Sequence, residues 1–116
     1  MIVAGFAIRG TTARRVLLRG IGPTLAQFSV ANALPDTSLK LFDSKGGLIS
    51  QNDDWTSSGD ADVITTVTQA VGAFALPQHS GDSALLVNLA PGTYSAQLGA
   101  KTVSNGIGMI EVYEAP

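Results

Sequence analysis

The sequence contains no cysteine and only one histidine among its 116 residues. Without thiols, the chain cannot form disulfides, a cysteine-ligated zinc site, an iron–sulfur cluster or a cysteine nucleophile. Charged residues make up 14% of the chain, well below the ~25% that is usual for soluble domains. With a net charge of −2, the protein has no basic field for phosphates, so we expect no nucleic-acid partner.

Long hydrophobic runs are also missing. Met1 to Ile8 is apolar, but this run is far shorter than the ~18 residues of a membrane-spanning helix. It has no basic segment before it and no cleavage site after it, so it is not a secretory leader. We therefore predict no membrane insertion.

Little in the sequence points to catalysis. His79 lies in the polar stretch Gln78–Asp82, and no Gly-x-Ser-x-Gly nucleophile elbow is present. No two carboxylates occupy separate apolar strands, as an acid–base pair would require. We predict that the protein is not an enzyme.

The few charges are unevenly distributed. The first 34 residues carry Arg9, Arg14, Arg15 and Arg19 and no acid, whereas the rest has nine acids and three lysines. The chain is thus a +4 head followed by a −6 remainder. Either this is chance, or opposite ends meet within or between molecules, since complementary charges set the register of a contact.

Short runs of Val, Ile, Leu and Thr, separated by clusters of Gly, Pro, Asn and Asp, are typical of an all-β domain. We predict a single domain over residues 1–116, a jelly-roll-like β-sandwich of about seven strands with one short helix. The predicted strands are Ile2–Arg9, Arg14–Arg19, Ser38–Asp43, Leu48–Asn52, Ser83–Leu89, Thr93–Leu98 and Ile107–Tyr113. The second strand is expected to bury one face and to keep its arginines at edges or toward acids.

Turn residues mark the breaks between these elements. Ser44–Gly47 predicts a hairpin, Ala90-Pro91-Gly92 joins two further strands, and Ser104-Asn105-Gly106 precedes the last strand. Pro23 suits the first position of a single helical turn. A helical stripe of apolar residues over Asp60–Val71 predicts the helix.

Asp60 would cap this helix, and Gly72 would end it. The predicted core draws on inward-facing strand residues. It comprises Phe6, Val16, Leu18, Leu39, Leu41, Leu85, Val87, Tyr94, Ile110 and Val112.

One acidic loop has the chemistry of a metal site. Oxygen-bearing side chains recur at alternate positions from Asp54 to Asp62, as in a calcium loop, but Thr65 stands where a bidentate Glu would be. Either the loop binds Ca²⁺, or its aspartates cap turns through their side chains. The candidate ligands are Asp43, Asn52, Asp53, Asp54 and Asp60.

Trp55 is the only tryptophan, and it directly follows these carboxylates. An aromatic ring beside carboxylates and amides is typical of a sugar-binding face, so Trp55 is a candidate glycan contact. The alternative is that it is a lid over the core. Thr11, Thr12, Ser57 and Ser58 lie near turns and are candidate O-glycosylation sites.

Several motifs together resemble a largely uncharacterised family of β-sandwich domains in secreted and surface proteins of environmental bacteria. They are Ala4-Gly5-Phe6-x-Ile8, Arg15-Val16-Leu17-Leu18-Arg19-x-x-Gly22-Pro23-x-Leu25, Asn52-Asp53-Asp54-Trp55, Val71-Gly72-Ala73-Phe74-x-Leu76, Ala84-Leu85-Leu86-Val87-x-Leu89-x-Pro91-Gly92-x-Tyr94 and Glu111-Val112-Tyr113. The stretch Leu39–Leu98 is more distantly similar to bacterial pre-peptidase C-terminal domains. The resemblance implies an extracellular or cell-surface, non-catalytic β-sandwich.

Members of this family usually have a further strand before the Ala-Gly-Phe run. A sandwich that lacks a strand exposes apolar core and unpaired backbone, which a neighbouring chain can fill by strand addition. We therefore expect a structural subunit of an extracellular fibre that polymerises head to tail, with Ile2–Arg9 lying along a neighbour's sheet. The residues expected at this contact are Ile2, Val3, Ala4, Phe6, Ile8, Arg9, Arg14, Arg15 and Arg19.

A second hypothesis from a different class is a calcium-dependent carbohydrate-binding or adhesion module of a secreted protein. In this reading the acidic loop binds the metal and Trp55 contacts the glycan. The expected partners are therefore copies of the chain itself or glycans.

Overall fold

The computed structural model describes residues 1–101 and 105–116, and for Ser58 the backbone alone. These residues form seven strands and one α-helix, with two short 3₁₀ helices at Pro23–Phe28 and Trp55–Ser58. The strands are β1 (Ile2–Ile8), β2 (Arg14–Ile21), β3 (Ser38–Asp43), β4 (Leu48–Asn52), β5 (Ser83–Leu89), β6 (Gly92–Gly99) and β7 (Met109–Ala115), and the helix is α1 (Ala61–Ala70). The predicted all-β fold with one short helix is confirmed.

The strands form two sheets in which neighbouring strands run antiparallel. Sheet A has the order β1-β6-β3-β4, and sheet B has the order β5-β2-β7. The predicted β3–β4 hairpin is present, with Gly46 at φ +81° in its turn. The Ala90-Pro91-Gly92 turn does not close a hairpin, because β5 lies in sheet B and β6 in sheet A, so the chain crosses between sheets there.

The last strand begins two residues later than predicted. Ile107 instead forms an isolated bridge with Ala33, in which its backbone N–H donates to the Asn32 carbonyl. Within the predicted turn before this strand, Ser104 lies outside the described residues.

The core between the two sheets is largely the predicted one. Its buried members include Val16, Leu18, Leu39 and Leu41, with Phe6, Val87, Tyr94 and Ile110 packed against them. The prediction for Val112 is wrong, since 40% of this residue is exposed. β7 is an outer strand of sheet B, so its central residue lies at the rim of the sandwich.

A second core, which was not predicted, covers the opposite face of sheet B. It comprises Leu17, Ile21, Leu25, Trp55, Ile64, Val67, Leu76 and Ala84. The middle strand β2 is therefore buried on both faces, not on one as expected. The reason is that β2 carries apolar residues on both of its faces. Val16 and Leu18 face sheet A, whereas Leu17 and Ile21 face the layer that α1 and the 3₁₀ helices form.

Helix α1 confirms the predicted helical stripe. Ile64 and Val67 are buried, whereas Val63 is exposed. Asp60 precedes the helix, and Gly72, at φ +76°, ends it. None of the helices among the described residues is long and apolar enough to cross a membrane.

The carboxylate of Asp82 holds the 3₁₀ helix Pro23–Phe28 onto sheet B. Asp82 is completely buried, and its Oδ1 accepts hydrogen bonds from the backbone N–H groups of Gly22 (2.8 Å) and Thr24 (3.3 Å). Its Oδ2 accepts from the hydroxyls of Thr24 and Ser80. The carboxylate thus satisfies the backbone donors that the start of a helix leaves unpaired.

We predict that Asp82→Ala lowers the free energy of unfolding by about 3 kcal/mol. The substitution leaves two buried N–H groups and a buried hydroxyl without acceptors. Urea denaturation provides the measurement. The control is Asp62→Ala, an exposed aspartate in the first turn of α1, for which a loss of about 0.5 kcal/mol or less is expected. Equal losses in the two variants would contradict this role of Asp82.

Candidate functional site

The strand expected to contact a neighbour, β1, is an outer strand of sheet A and pairs with β6 of the same chain. The register runs from Ile2 opposite Leu98 to Ile8 opposite Gly92. Ile2, Phe6 and Ile8 pack against the core between the sheets, and the Phe6 ring stacks on Tyr94 at 5.7 Å. In the single chain, the inward face of β1 therefore fills its own sandwich and not a neighbour's.

The other features of β1 leave it accessible. Ala4 also lies on its inward face, whereas 57% of Val3 on the outward face is exposed. No charged residue and no proline lies in Ile2–Ile8, although such residues usually protect an edge strand from pairing with another chain. β1 is joined to β2 by residues 9–13, which are all exposed.

The four arginines of the basic head are not equivalent. Arg9 is exposed in the linker. Arg14 forms a surface ion pair with Glu114 at 3.5 Å, and Arg15 is half-buried on β2. Arg19 is completely buried, so it cannot face the acids of a neighbour, and its assignment to the contact is wrong. The physical reason is that β2 is the covered middle strand of sheet B.

Arg19 is held by a set of buried contacts. Its Nε lies 3.0 Å from Glu111 Oε1 in an ion pair without an aligned hydrogen bond, and its Nη1 donates to the Phe74 carbonyl at 2.7 Å. The guanidinium also lies over the Phe74 ring, 4.4 Å from its centre. Burial lowers the pKa of Arg19 below its ordinary value, although the charge of Glu111 opposes this shift.

Tyr113 belongs to the same cluster. Its hydroxyl donates to Glu111 Oε2 at 2.9 Å. Burial, reinforced by this hydrogen bond, raises the pKa of Tyr113 above its ordinary value. The expectation that the arginines of β2 point toward acids is thus confirmed for Arg19 and Arg14, with both acids supplied by β7.

The five candidate calcium ligands are not brought together. Asp43 lies at the turn of the β3–β4 hairpin, where its Oδ1 accepts from the backbone N–H groups of Lys45 and Gly47, both at 2.9 Å. Asn52 lies at the other end of that hairpin, opposite Leu39. Along β3, Asp43 lies four positions after Leu39, which is a distance of roughly 13 Å. Asp60 lies elsewhere, at the start of α1.

Asp53 and Asp54 share one cation that the protein itself supplies. Lys101 Nζ lies 3.6 Å from Asp53 and 3.5 Å from Asp54. The charges of Asp53 and Asp54 raise the pKa of Lys101. The side chains of the two aspartates therefore form ion pairs, and it is the Asp54 backbone carbonyl that accepts the turn hydrogen bonds from Ser57 and Asn52. Calcium binding at this pair stays a prediction.

Trp55 is not available to a glycan. Only 2% of it is exposed, it belongs to the second core, and its Nε1 donates to the Pro77 carbonyl at 2.9 Å. The proposed glycan contact is wrong, and the alternative of a core lid is confirmed. Among the candidate glycosylation sites, Thr11, Thr12 and Ser57 are exposed, whereas the Ser58 side chain lies outside the described residues.

A polar groove lies beside these residues at one end of sheet A. It has a volume of about 410 Å³ and is lined by Ser38, Gln51, Asn52, Asp53 and Ser57. A smaller cavity of about 140 Å³ shares Ser38 and continues across the sheet past Lys40 and Gln97. From the sequence, Asn52 and Asp53 were expected only as metal ligands. The groove was not predicted, because β3, β4 and the Trp55–Ser58 helix form it jointly.

Comparison with known proteins identifies no relative. No protein-family model matches the chain, and no curated protein or solved structure shows a significant match.

We predict that Glu111→Gln lowers the free energy of unfolding by about 2–4 kcal/mol, because it leaves the guanidinium of Arg19 buried without a counter-charge. Chemical denaturation measures the loss. Glu114→Gln is the matched control on the same strand, since it breaks the exposed pair with Arg14 and should cost about 0.5 kcal/mol or less. The double variant Arg19→Met/Glu111→Met should recover much of the loss. Equal effects at positions 111 and 114 would refute the distinction.

The raised pKa of Tyr113 predicts a pH dependence of stability. A raised pKa means that the folded state holds the proton more tightly, so this contribution is complete below about pH 10 and is lost as the pH rises further. Tyr113→Phe should therefore make stability fall less steeply above pH ~10, as measured by thermal unfolding against pH. The control Val63→Ala changes an exposed apolar residue on α1 and keeps Tyr113, so its stability should fall above pH ~10 as steeply as that of wild type. A Tyr113→Phe curve identical to wild type would contradict the prediction.

Proposed function

We propose that the protein is a non-catalytic structural subunit that polymerises by exchanging β1 between copies. In this arrangement, β1 of one subunit leaves its own β6 and pairs with β6 of the next. The observation that carries the proposal is that β1 is an uncharged edge strand and that, among the described residues, its main-chain pairing involves β6 alone. Exchange of an identical element is a low-cost route to assembly, because every native contact is remade between chains.

The packing of β1 makes the exchange specific. Ile2, Phe6 and Ile8 fill positions in the core between the sheets, and a vacated position would accept the same three side chains from a neighbour. A slip of one residue would turn these side chains to solvent and would place Val3 in the core. The register opposite β6 is therefore the one expected between subunits.

The linker between β1 and β2 decides how far an exchanged strand can reach. Residues 9–13 are exposed, and five extended residues span about 17 Å. A hinge this short favours exchange of β1 between chains, whereas a longer, flexible linker would favour pairing of β1 within its own chain. A contact in which each subunit donates one strand and receives another is heterologous, so it extends into a filament unless it closes into a ring.

The basic head contributes less to contacts between subunits than its total charge indicates. Arg14 and Arg19 have partners within the chain, whereas no ion pair among the described residues involves Arg9 in the linker or Arg15 on β2. Arg9 and Arg15 are therefore the arginines that would pair with acids of the next subunit. These charges would orient the incoming subunit and speed its encounter more than they would add affinity. The resemblance of the motifs to secreted and surface β-sandwich domains supports an extracellular or cell-surface location.

Cysteine cross-linking tests the exchange directly, because the wild-type chain has no cysteine. Gly5 and Ser95 lie opposite each other on the outward face of sheet A. We mix Gly5→Cys chains with Ser95→Cys chains and oxidise them after assembly. We predict disulfides that join position 5 of one chain to position 95 of another, detected by mass spectrometry of linked peptides. Val63→Cys on exposed α1, mixed with Ser95→Cys, measures random collision.

A second pair of variants tests whether β1 must leave its own chain. The double variant Gly5→Cys/Ser95→Cys, oxidised as a monomer, holds β1 in place and should elute as a monomer and show no filaments by negative-stain microscopy. Lys40→Cys/Gln51→Cys bridges β3 and β4 instead and should assemble like wild type. Cross-linking at the collision level, together with a wild-type monomer at high concentration, would overturn the proposed function.

A further inference from the structure

We propose that the polar groove at the end of sheet A binds a neutral, polyhydroxylated ligand, a saccharide. The groove is lined by Ser38 at the start of β3, by Gln51 and Asn52 at the end of β4, and by Asp53 and Ser57. Its volume of about 410 Å³ lies within the ~300–1,000 Å³ that is usual for small-molecule sites. None of the residues that line the groove belongs to β1 or to the linker, whereas Met1, which directly precedes β1, lines the adjoining cavity.

Three of the lining side chains are fixed by contacts outside the groove. Asn52 is buried, with its Nδ2 donating to the Asp54 carbonyl at 3.0 Å and its Oδ1 accepting from the Ala84 N–H at 3.1 Å. The Ser57 hydroxyl donates to the same Asp54 carbonyl at 2.7 Å, and Asp53 is paired with Lys101. Such prior ordering reduces the entropy lost when a ligand binds.

The hydrogen-bonding groups that the lining side chains still offer are suited to the hydroxyls of a sugar. Ser57 has donated its proton, so its oxygen remains an acceptor, as does the carboxylate of Asp53. The Nδ2 of Asn52 keeps a second N–H, and the Gln51 amide and the Ser38 hydroxyl both donate and accept. A sugar hydroxyl is itself a donor and an acceptor, so an alternating set of this kind satisfies neighbouring hydroxyls on one ring.

The charges around the groove disfavour other ligand classes. Lys101 offsets the carboxylates of Asp53 and Asp54, which weakens the attraction for a free cation. Lys40 is the one cationic side chain that lines the adjoining cavity in the described part of the chain, so the described surface lacks the cluster of basic side chains that an anionic ligand would need. The five residues that line the groove all carry polar side chains, which disfavours a lipid.

The adjoining cavity gives the ligand room to continue. It shares Ser38 and extends past Lys40 to Gln97 on β6, over the outward face of sheet A. The side chains of Lys40, Gln97 and Gln51 lie in register across three neighbouring strands, which are about 4.8 Å apart. A second or third sugar ring can therefore lie along this row, and we infer that the preferred ligand is an oligosaccharide.

Isothermal titration calorimetry with neutral hexasaccharides of glucose, mannose and galactose, and with a sulfated hexasaccharide, tests the site. We expect at least one neutral hexasaccharide to bind. The double variant Ser38→Ala/Gln51→Ala should raise its Kd at least roughly tenfold, since it removes two hydrogen-bonding groups. Neither side chain forms a hydrogen bond within the described residues, so thermal unfolding of this variant should match wild type.

The matched control is Gln27→Ala/Gln78→Ala, which removes two exposed amides away from the groove and should leave the Kd unchanged. The proposal is overturned if none of the neutral hexasaccharides binds, if only the sulfated one binds, or if binding persists unchanged in Ser38→Ala/Gln51→Ala. The titrations use the oxidised Gly5→Cys/Ser95→Cys chain, in which β1 is held in place, as the background for every variant, so their outcome is separate from that of the cross-linking experiment.

Discussion

The burial of a charged guanidinium in the middle of β2 constrains the rest of the structure. Arg19 lies on the face of sheet B that looks away from the sandwich, and a charge there is costly unless it is paired. Glu111 on β7 supplies the opposite charge, and the segment after α1 supplies the Phe74 carbonyl and ring. The same residue therefore ties together β2, β7 and the outer layer of the molecule.

This outer layer makes the two sheets unequal. Sheet B is covered on both faces, by sheet A on one side and by α1 and the 3₁₀ helices on the other. Trp55, through Pro77, and Asp82, through Gly22 and Thr24, fasten that cover in place. Within residues 1–101 and 105–116, no helix covers the outward face of sheet A, and both the free edge of β1 and the polar groove belong to this sheet.

The two proposed activities therefore use different parts of one sheet. Exchange of β1 depends on its outer position and on the exposed linker, whereas the saccharide site depends on the ends of β3 and β4. A fibre built by exchange would leave the groove open on each subunit, which would present a repeated array of weak sites. Such an array gains avidity without any new contact between a single subunit and its ligand.

The elements that were predicted correctly are those whose determining forces are local. The β3–β4 hairpin and helix α1 follow from turn residues and from apolar periodicity within a few positions, and both were predicted. The residues that were predicted wrongly are those whose local pattern fits more than one role. Trp55 stands beside carboxylates in the sequence but packs in the core, and Val112 alternates like a core residue but lies on an outer strand.

The sequence by itself determined the strands, the helix and most of the core between the sheets, and it indicated that arginines of β2 would lie toward acids without identifying which ones. Only the tertiary structure decided that β1 pairs with β6, that Lys101 occupies the space between Asp53 and Asp54, and that five polar residues form a groove. The physical reason is the range of the interactions involved. Periodicity and turn chemistry act between neighbours along the chain, whereas edges, ion pairs and grooves depend on the order of strands in the sheets.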